Sequence, residues 1–221
     1  MTFAQNVLQF FDQLSDHPEV PSGVNVLNPY KEEPVKRVTR LFYEKYYGDH
    51  YERYLIIGIN PGRFGAGLTG IPFTDPVRLK AVCGIDNSFD PKPELSSKFI
   101  YELIARMGGP EKFYSRFYFS SVSPLGFTRD HKNLNYYDIR ALQDGWEPFM
   151  VDNLKKQLSF GCSSKKAFIL GRGKNFQYMQ KLNGYTQLFD SLIELPHPRW
   201  VMQYRLRRID DFLQEYASQL E

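Results

Sequence analysis

The sequence predicts an α/β sandwich with a mostly parallel sheet, and two observations carry that prediction. Short, continuous apolar runs such as Tyr54–Ile59 are typical of strands buried on both faces of a parallel sheet. Four such runs alternate with amphipathic helical segments, as in α/β proteins. The chain has no internal repeat, so we treat residues 1–221 as one domain, with a helical N-terminal part (1–50) and a motif-bearing core (54–208).

Two amphipathic helices are expected before the first strand. In the first helix, Phe3, Val7 and Phe11 recur at helical spacing. Residues 17–30 are rich in Pro, Asn and Gly, which predicts a connector. Pro34 can then occupy the first position of the second helix, because its missing N–H has no intrahelical partner there.

Three further strands and the helices between them complete the prediction. The strands are Phe117–Ser123, Lys166–Gly171 and Ser191–Leu195. Ser96 or Ser97 is expected to cap a helix that follows the first strand. Gly184 is expected to end the helix after the third strand, and Leu206 to belong to the last helix.

Three strands run directly into unusual loops, which we expect to be irregular. These loops are Asn60–Asp75, Ser120–Arg129 and Pro196–Trp200. Ligands of parallel α/β sheets bind outside the carboxyl ends of the strands. The sequence therefore predicts one site formed by the three loops.

Composition narrows the function classes. The net charge of +3 neither requires nor excludes a nucleic-acid partner. Cys83 and Cys162 cannot by themselves hold an iron–sulfur cluster or a structural zinc, and we expect buried, reduced thiols. No apolar run is long enough to span a membrane, and the N-terminus lacks the charged start of a signal peptide. We expect a cytoplasmic protein without metal or cofactor.

The strand-end residues each admit two interpretations. Asn60 either caps its own turn or directs its amide into the cleft, where it can hold a water or a base edge. Phe73 is either a core anchor or a flat face for a planar ligand. Asp75 is either a helix cap or a site carboxylate. His197, fixed between two prolines, is either structural or functional.

Several common catalytic motifs are missing. The sequence contains no Gly-x-Ser-x-Gly elbow, no His-Glu-x-x-His and no P-loop ending. Covalent acyl transfer and metal catalysis are therefore poorly supported, and a small-molecule α/β hydrolase is an unfavoured alternative.

Taken together, the motifs resemble a known family. Gly58–Gly62, Phe64–Gly65 and Thr69–Phe73 closely resemble the first motif of the single-strand-selective monofunctional uracil-DNA glycosylases. His197–Arg199 resembles the second motif of the uracil-DNA glycosylase superfamily. The resemblance covers about Tyr54–Arg208 and implies a three-layer sandwich with a central four-stranded parallel sheet flanked by helices.

The resemblance also implies roles for individual residues. The target nucleotide would be flipped out of the DNA, and Phe73 would stack on its base. Backbone amides near Ile59 and Gly62 would contact the carbonyl edge of the base. Asn60 would position the attacking water, and His197 would donate a hydrogen bond to the base O2. No lysine nucleophile is needed, so the resemblance implies a monofunctional enzyme without a lyase step.

The sequence departs from the family at two places. Ser121 stands where the family has an asparagine that reads the uracil edge, so hypoxanthine, xanthine or 5-substituted uracils become candidate substrates. Arg199 and Trp200 replace the usual Ser-Pro of the second motif. Trp200 either fills the gap left by the flipped base or packs in the core at a helix start. The loss of the base-reading asparagine also leaves open a non-catalytic DNA-binding protein on the same fold.

A basic segment supports DNA as the partner. Residues 165–208 contain nine Lys or Arg against two acidic residues, although a solvated charged face is the alternative. Besides Arg199 and Trp200, the expected DNA contacts are Arg63, Ser123, Arg172, Lys174 and Arg205. We further expect a monomer, of bacterial origin.

Overall fold

The computed structural model describes residues 1–221 and contains seven strands and ten α-helices. The strands are β1 (Asn25–Leu27), β2 (Arg53–Gly58), β3 (Phe117–Ser121), β4 (Gly126–Arg129), β5 (Lys132–Leu134), β6 (Cys162–Leu170) and β7 (Ser191–Leu195). The helices are α1 (Phe3–Asp12), α2 (Glu33–Tyr47), α3 (Ala66–Thr69), α4 (Pro76–Ala81), α5 (Leu95–Arg106), α6 (Pro110–Tyr114), α7 (Arg140–Leu158), α8 (Lys174–Thr186), α9 (Pro198–Tyr204) and α10 (Ile209–Leu220).

A four-stranded sheet in the order β3-β2-β6-β7 forms the centre of the molecule, and every neighbouring pair is parallel. Leu55, Ile56 and Ile57 of β2 are all buried, as both faces of the sheet are covered by helices. The predicted α/β class and central four-stranded parallel sheet are confirmed. Because all four strands point the same way, their carboxyl ends meet at one edge.

A second, smaller sheet was not predicted. It is antiparallel in the order β1-β4-β5, and its strands come from the expected connector 17–30 and the expected loop after β3. β4 and β5 are joined through Asp130 and His131, which both have positive φ, as a type I′ hairpin turn requires. The expectation of an irregular Ser120–Arg129 segment is therefore wrong.

Two predicted helix ends are also wrong. The N-cap of α5 is Glu94, whose carboxylate accepts from the backbone N–H of Ser97 at 2.9 Å, so neither Ser96 nor Ser97 is the cap. Gly184 lies inside α8, which ends instead at Gln187 in the left-handed conformation. The Glu94 carboxylate thus caps α5 where the sequence pattern predicted serine, and the backbone of Gln187 adopts the left-handed conformation that was predicted for glycine.

Three further boundaries differ from the sequence prediction. The Asn60–Asp75 segment contains the single turn α3 rather than irregular chain alone. Pro34 occupies the second position of α2, not the first. The last helix begins at Ile209, and Leu206 sits in an exposed 3-10 turn before it. Residues 198–200 of the third expected loop are not irregular, because they form the start of a separate helix, α9.

Aromatic side chains dominate the core, which explains most of the 16% aromatic content. Phe3 of α1 packs on Tyr47 at 5.5 Å and on Tyr118 of the sheet at 5.1 Å between ring centroids. The buried guanidinium of Arg53 lies 4.7 Å from both the Phe3 and Tyr47 rings and pairs with Asp49 at 2.8 Å. The N-terminal helices therefore share one core with the sheet.

The structure also shows the state of the two cysteines and the character of the helices. Cys83 and Cys162 are both buried and unpaired. None of the ten helices has the length and hydropathy needed to cross a membrane.

Candidate active site

A cleft of about 580 Å³ opens at the carboxyl ends of β2, β3 and β7. It is lined by nine of the residues that the sequence singled out, namely Ile59, Asn60, Gly62, Arg63, Phe73, Ser121, His197, Arg199 and Trp200. These residues come from three loops far apart in sequence. The parallel sheet brings them together because its strand ends share one edge.

Two predicted residues are fully buried outside the cleft. The Asp75 carboxylate caps α4 by accepting from the Arg78 amide at 2.8 Å, and it also accepts from the Glu94 amide at 2.9 Å. Of the two interpretations of Asp75, the structure shows the helix cap. Ser123 donates to the Leu125 carbonyl at 2.7 Å with no solvent exposure, so the expected DNA contact of this side chain is wrong.

Three predicted cations are exposed but do not line the cleft. Arg172 forms an ion pair with Glu215. Lys174 is the first residue of α8, and Arg205 lies over the Trp200 ring at 4.8 Å. Their contact with DNA stays a prediction.

The Asn60 carboxamide is held at both of its ends. Its Nδ2 donates to the Leu134 carbonyl at 3.0 Å, and its Oδ1 accepts from the Tyr136 amide at 3.0 Å. These backbone partners fix which end of the side chain is oxygen, because a carbonyl can only accept and an N–H can only donate. Asn60 therefore does not simply cap its own turn, although a weaker contact of 3.3 Å runs to the Pro61 carbonyl. The Oδ1 atom keeps a second lone pair for a ligand or water.

Unpaired backbone amides flank Asn60. The N–H groups of Ile59 and Gly62 have no acceptor within the chain, and both residues line the cleft. An N–H without a protein partner is available to a carbonyl oxygen of a bound ligand.

Phe73 presents its ring beside the end of β2. The residue has φ of 55°, an uncommon conformation for a bulky side chain, and its ring packs on Phe119 at 5.3 Å. A Cβ on Gly58 would come within 2.9 Å of the Phe73 ring, so only glycine leaves room for the ring here. The glycine that ends β2 is thus required by the position of Phe73.

Ser121 lines the cleft at the end of β3, and its hydroxyl has no hydrogen-bond partner within the chain. The preceding Ser120 turns the opposite way and donates to the Gln157 side chain in α7. Since neighbouring strand residues alternate in direction, the bond from Ser120 anchors the strand while Ser121 stays free for a ligand.

His197 is the N-cap of α9, and its Nδ1 accepts from the Arg199 amide at 3.2 Å. The proton of the neutral ring therefore resides on Nε2, which becomes a donor. Burial, and secondarily the Arg199 charge, lowers the pKa of His197 from 6.5 to about 4. The ring centroid lies 6.2 Å from that of Phe73. At neutral pH the site thus offers an uncharged imidazole with one N–H.

The rim of the cleft carries exposed rings under cations. Phe64 is 39% exposed, with the Arg63 guanidinium 4.5 Å from its centroid. Trp200 is 40% exposed and stands under Arg205. Trp200 is therefore not the core residue at a helix start that formed one of its two interpretations.

Sequence reasoning missed part of the lining of the cleft. The missed residues are Lys132, Asn133 and Asn135 of the hairpin and its exit, and Gln203 and Tyr204 of α9. The hairpin turn lacks the Asn-Gly or Asp-Gly pair that marks such turns in a sequence, so no local signal pointed to these residues. Glu94 and Ser96 at the start of α5 also line the cleft; the sequence analysis considered Ser96 only as a helix cap and did not single out Glu94.

Comparison with known proteins shows the family to which the chain belongs. The family model described as "Uracil DNA glycosylase superfamily" matches residues 45–221. The crystal structure of wild-type SMUG2 from Pedobacter heparinus is 45% identical and superposes with a TM-score of 0.97, covering 99% of this chain and 97% of that chain. No curated protein matches the chain.

The chain belongs to the uracil DNA glycosylase superfamily. Within the superfamily it is SMUG-like, since its similarity to the Pedobacter heparinus SMUG2 extends over nearly the whole of both chains. The family resemblance and fold inferred from the sequence motifs are thereby confirmed.

Proposed function

We propose that this protein removes uracil or a related deaminated base from DNA by hydrolysing the N-glycosidic bond. The observation that carries the proposal is the meeting of Asn60, Phe73 and a neutral His197 in one cleft. A glycosylase must take the nucleotide out of the base stack, and a cleft with an aromatic wall suits a flipped base.

The chemistry follows from where charge develops. Breaking the bond leaves an oxocarbenium-like sugar and an anionic base. The Nε2–H of His197 donates to the base O2, and the free amides of Ile59 and Gly62 donate to its carbonyl edge. A neutral imidazole serves here because its N–H is fixed in place and needs no proton from solvent.

Asn60 orients the attacking water through the second lone pair of Oδ1. The N-glycosidic bond breaks and its electron pair leaves with the base. The oxygen of the water then bonds to the sugar carbon, and the proton that the water loses neutralises the anionic base. Bond breaking that precedes attack needs no strong base, so a carboxamide is sufficient. Because no lysine takes part, the proposed enzyme is monofunctional, and borohydride should trap no covalent complex with DNA even though Lys132 lines the cleft.

The serine at position 121 widens the set of candidate substrate bases. Its single free hydroxyl replaces the two-ended amide of the family, so the panel includes uracil, hypoxanthine, xanthine and 5-substituted uracils in single- and double-stranded oligonucleotides. The same feature favours the second candidate, a DNA-binding protein without catalysis. That candidate predicts binding that depends on salt, without base release.

The test measures abasic sites by alkaline cleavage of the oligonucleotides. Asn60→Ala and His197→Asn should each lose about 100- to 1,000-fold in kcat while still binding DNA, as expected for removing one transition-state contact. The histidine variant keeps an N-cap acceptor but cannot reach the base. His50→Asn is the matched control, since His50 is exposed and precedes the opposite end of β2. If the wild type releases none of the bases, the proposal is wrong.

A further inference from the structure

The two backbone groups that hold Asn60 belong to a single short segment, and that segment has its own anchor. Leu134 ends β5, and Tyr136 follows two residues later. The Tyr136 side chain is fully buried, and its hydroxyl donates to the Asn175 Oδ1 at 2.8 Å. None of these contacts was expected from the sequence motifs.

Asn175 has no freedom to turn. It is 2% exposed, and its Nδ2 donates to the Leu170 carbonyl at 3.0 Å. Its Oδ1 must therefore be the acceptor for Tyr136, whose pKa is raised by burial so that the hydroxyl stays protonated. Leu170 is the last residue of β6, the sheet neighbour of the strand that precedes Asn60.

These hydrogen bonds connect the ends of two adjacent strands. It leads from Asn60 at the end of β2 to the Tyr136 amide, through the Tyr136 hydroxyl to Asn175, and back to Leu170 at the end of β6. Each bond is between 2.8 and 3.0 Å, and the hydroxyl bond and the Asn175–Leu170 bond are buried. A buried network whose members are all satisfied holds its groups in one arrangement.

We infer that Tyr136 and Asn175 are positioning residues for the Asn60 carboxamide. This inference rests on the proposed function, in which Asn60 orients the water. Without the hydroxyl bond, the 134–136 segment keeps its strand pairing, its ring packing and the 2.8 Å bond from the Asn135 amide to the Asp138 carboxylate. It loses its tie to Asn175 and the end of β6, and the carboxamide loses its fixed direction. Misplacement of a group that orients a reactant lowers the rate of the chemical step more than it weakens substrate binding.

Tyr136→Phe removes only the hydroxyl and keeps the ring, which packs on Tyr178 at 4.9 Å. We expect kcat for base release to fall about tenfold with KM almost unchanged. Asn175→Ala should give a similar loss, and combining either change with Asn60→Ala should cause no further loss, because the contacts form one unit. Tyr178→Phe is the matched control, since the buried Tyr178 hydroxyl has no hydrogen-bond partner.

A second measurement is independent of activity. Solvent exchange of the Asn60 side-chain amide protons can be followed by NMR, with the signals assigned by their disappearance in Asn60→Asp. Exchange should be severalfold faster in Tyr136→Phe than in the wild type and in Tyr178→Phe. Equal exchange in Tyr136→Phe and the wild type overturns the inference whether or not the protein releases a base. Failure of the wild type to release any base contradicts the proposed function instead, and the exchange rates still decide the positioning role.

Discussion

At the scale of single residues, His197 combines a structural and a proposed chemical role in one side chain. Its Nδ1 caps α9, which leaves the proton on Nε2. Protonation of the ring would abolish the cap, because Nδ1 would become a donor facing the Arg199 amide. Burial and, secondarily, the Arg199 charge lower the pKa of His197 to about 4, and the uncharged ring that results is the form able to accept the cap bond.

The lowered pKa of His197 predicts how the free energy of unfolding depends on pH. The folded-state pKa of about 4 lies below the ordinary value of 6.5, so below pH 6.5 the unfolded chain binds a proton that the folded chain does not. The contribution of His197 is complete above pH 6.5 and is lost as pH falls towards 4. Between pH 7.5 and 4.5 the wild type should lose about 2 kcal/mol more unfolding free energy than His197→Asn, measured by urea titration. Parallel pH profiles for the two proteins would contradict the proposed state of the ring.

The sequence predicted some site residues of these loops correctly and others wrongly. Asn60, Phe73 and His197 could be found because they belong to motifs at strand ends. Ser123 and Asp75 belong to the same loops, yet both side chains point away from the cleft. The direction of a loop side chain depends on the turn that the surrounding structure imposes, which the residue type alone does not determine.

At the scale of elements, the apolar strands of the central sheet and the amphipathic helices were predictable, whereas β1, β4, β5, α3, α6 and α9 were not. The predictable elements bury a periodic apolar face, which leaves a pattern in the sequence. The missed ones have three to seven residues and depend on contacts with distant segments. β4, for example, pairs with β1 across about 100 residues of chain.

Gly184 offers a test at this scale. Because it lies inside α8 and an added Cβ would meet nothing within 4 Å, Gly184→Ala should stabilise the protein by about 0.5–1 kcal/mol, measured by chemical denaturation. Gly173 at the N-cap of the same helix is equally open but has φ of 91°. Gly173→Ala should therefore be destabilising by about 1 kcal/mol. Destabilisation by Gly184→Ala would instead support the left-handed helix end expected from the sequence.

At the scale of the whole molecule, a modest net charge of +3 conceals an uneven distribution. The basic segment 165–208 includes residues near both ends of the parallel strands. Lys165 lies beside the start of β7, whereas Arg199 lies at the cleft beyond its end. Arg199 is therefore placed to contact a strand of DNA bound in the cleft, whereas Lys165 is not.

The salt dependence of DNA binding tests this distinction. Each phosphate contact releases a counterion, so Arg199→Ala should weaken binding of an oligonucleotide and lower the slope of log K against log salt by about one. Lys165→Ala removes the same charge at the end of the strands away from the cleft and should leave the slope unchanged. Equal effects of the two variants would show that the net charge, not the cleft, attracts DNA.

The sequence by itself determined the α/β class, the four parallel strands, the family and the motif residues that line the cleft. Those properties follow from apolar periodicity and from motifs whose residues are adjacent in the chain. Only the tertiary structure decided what holds Asn60, since the hydrogen bonds of Asn60 to Leu134 and Tyr136 span 74 and 76 residues of chain, and that of Tyr136 to Asn175 spans 39. Hydrogen bonds between distant segments leave no periodic trace in a sequence, because any of many polar groups could satisfy them.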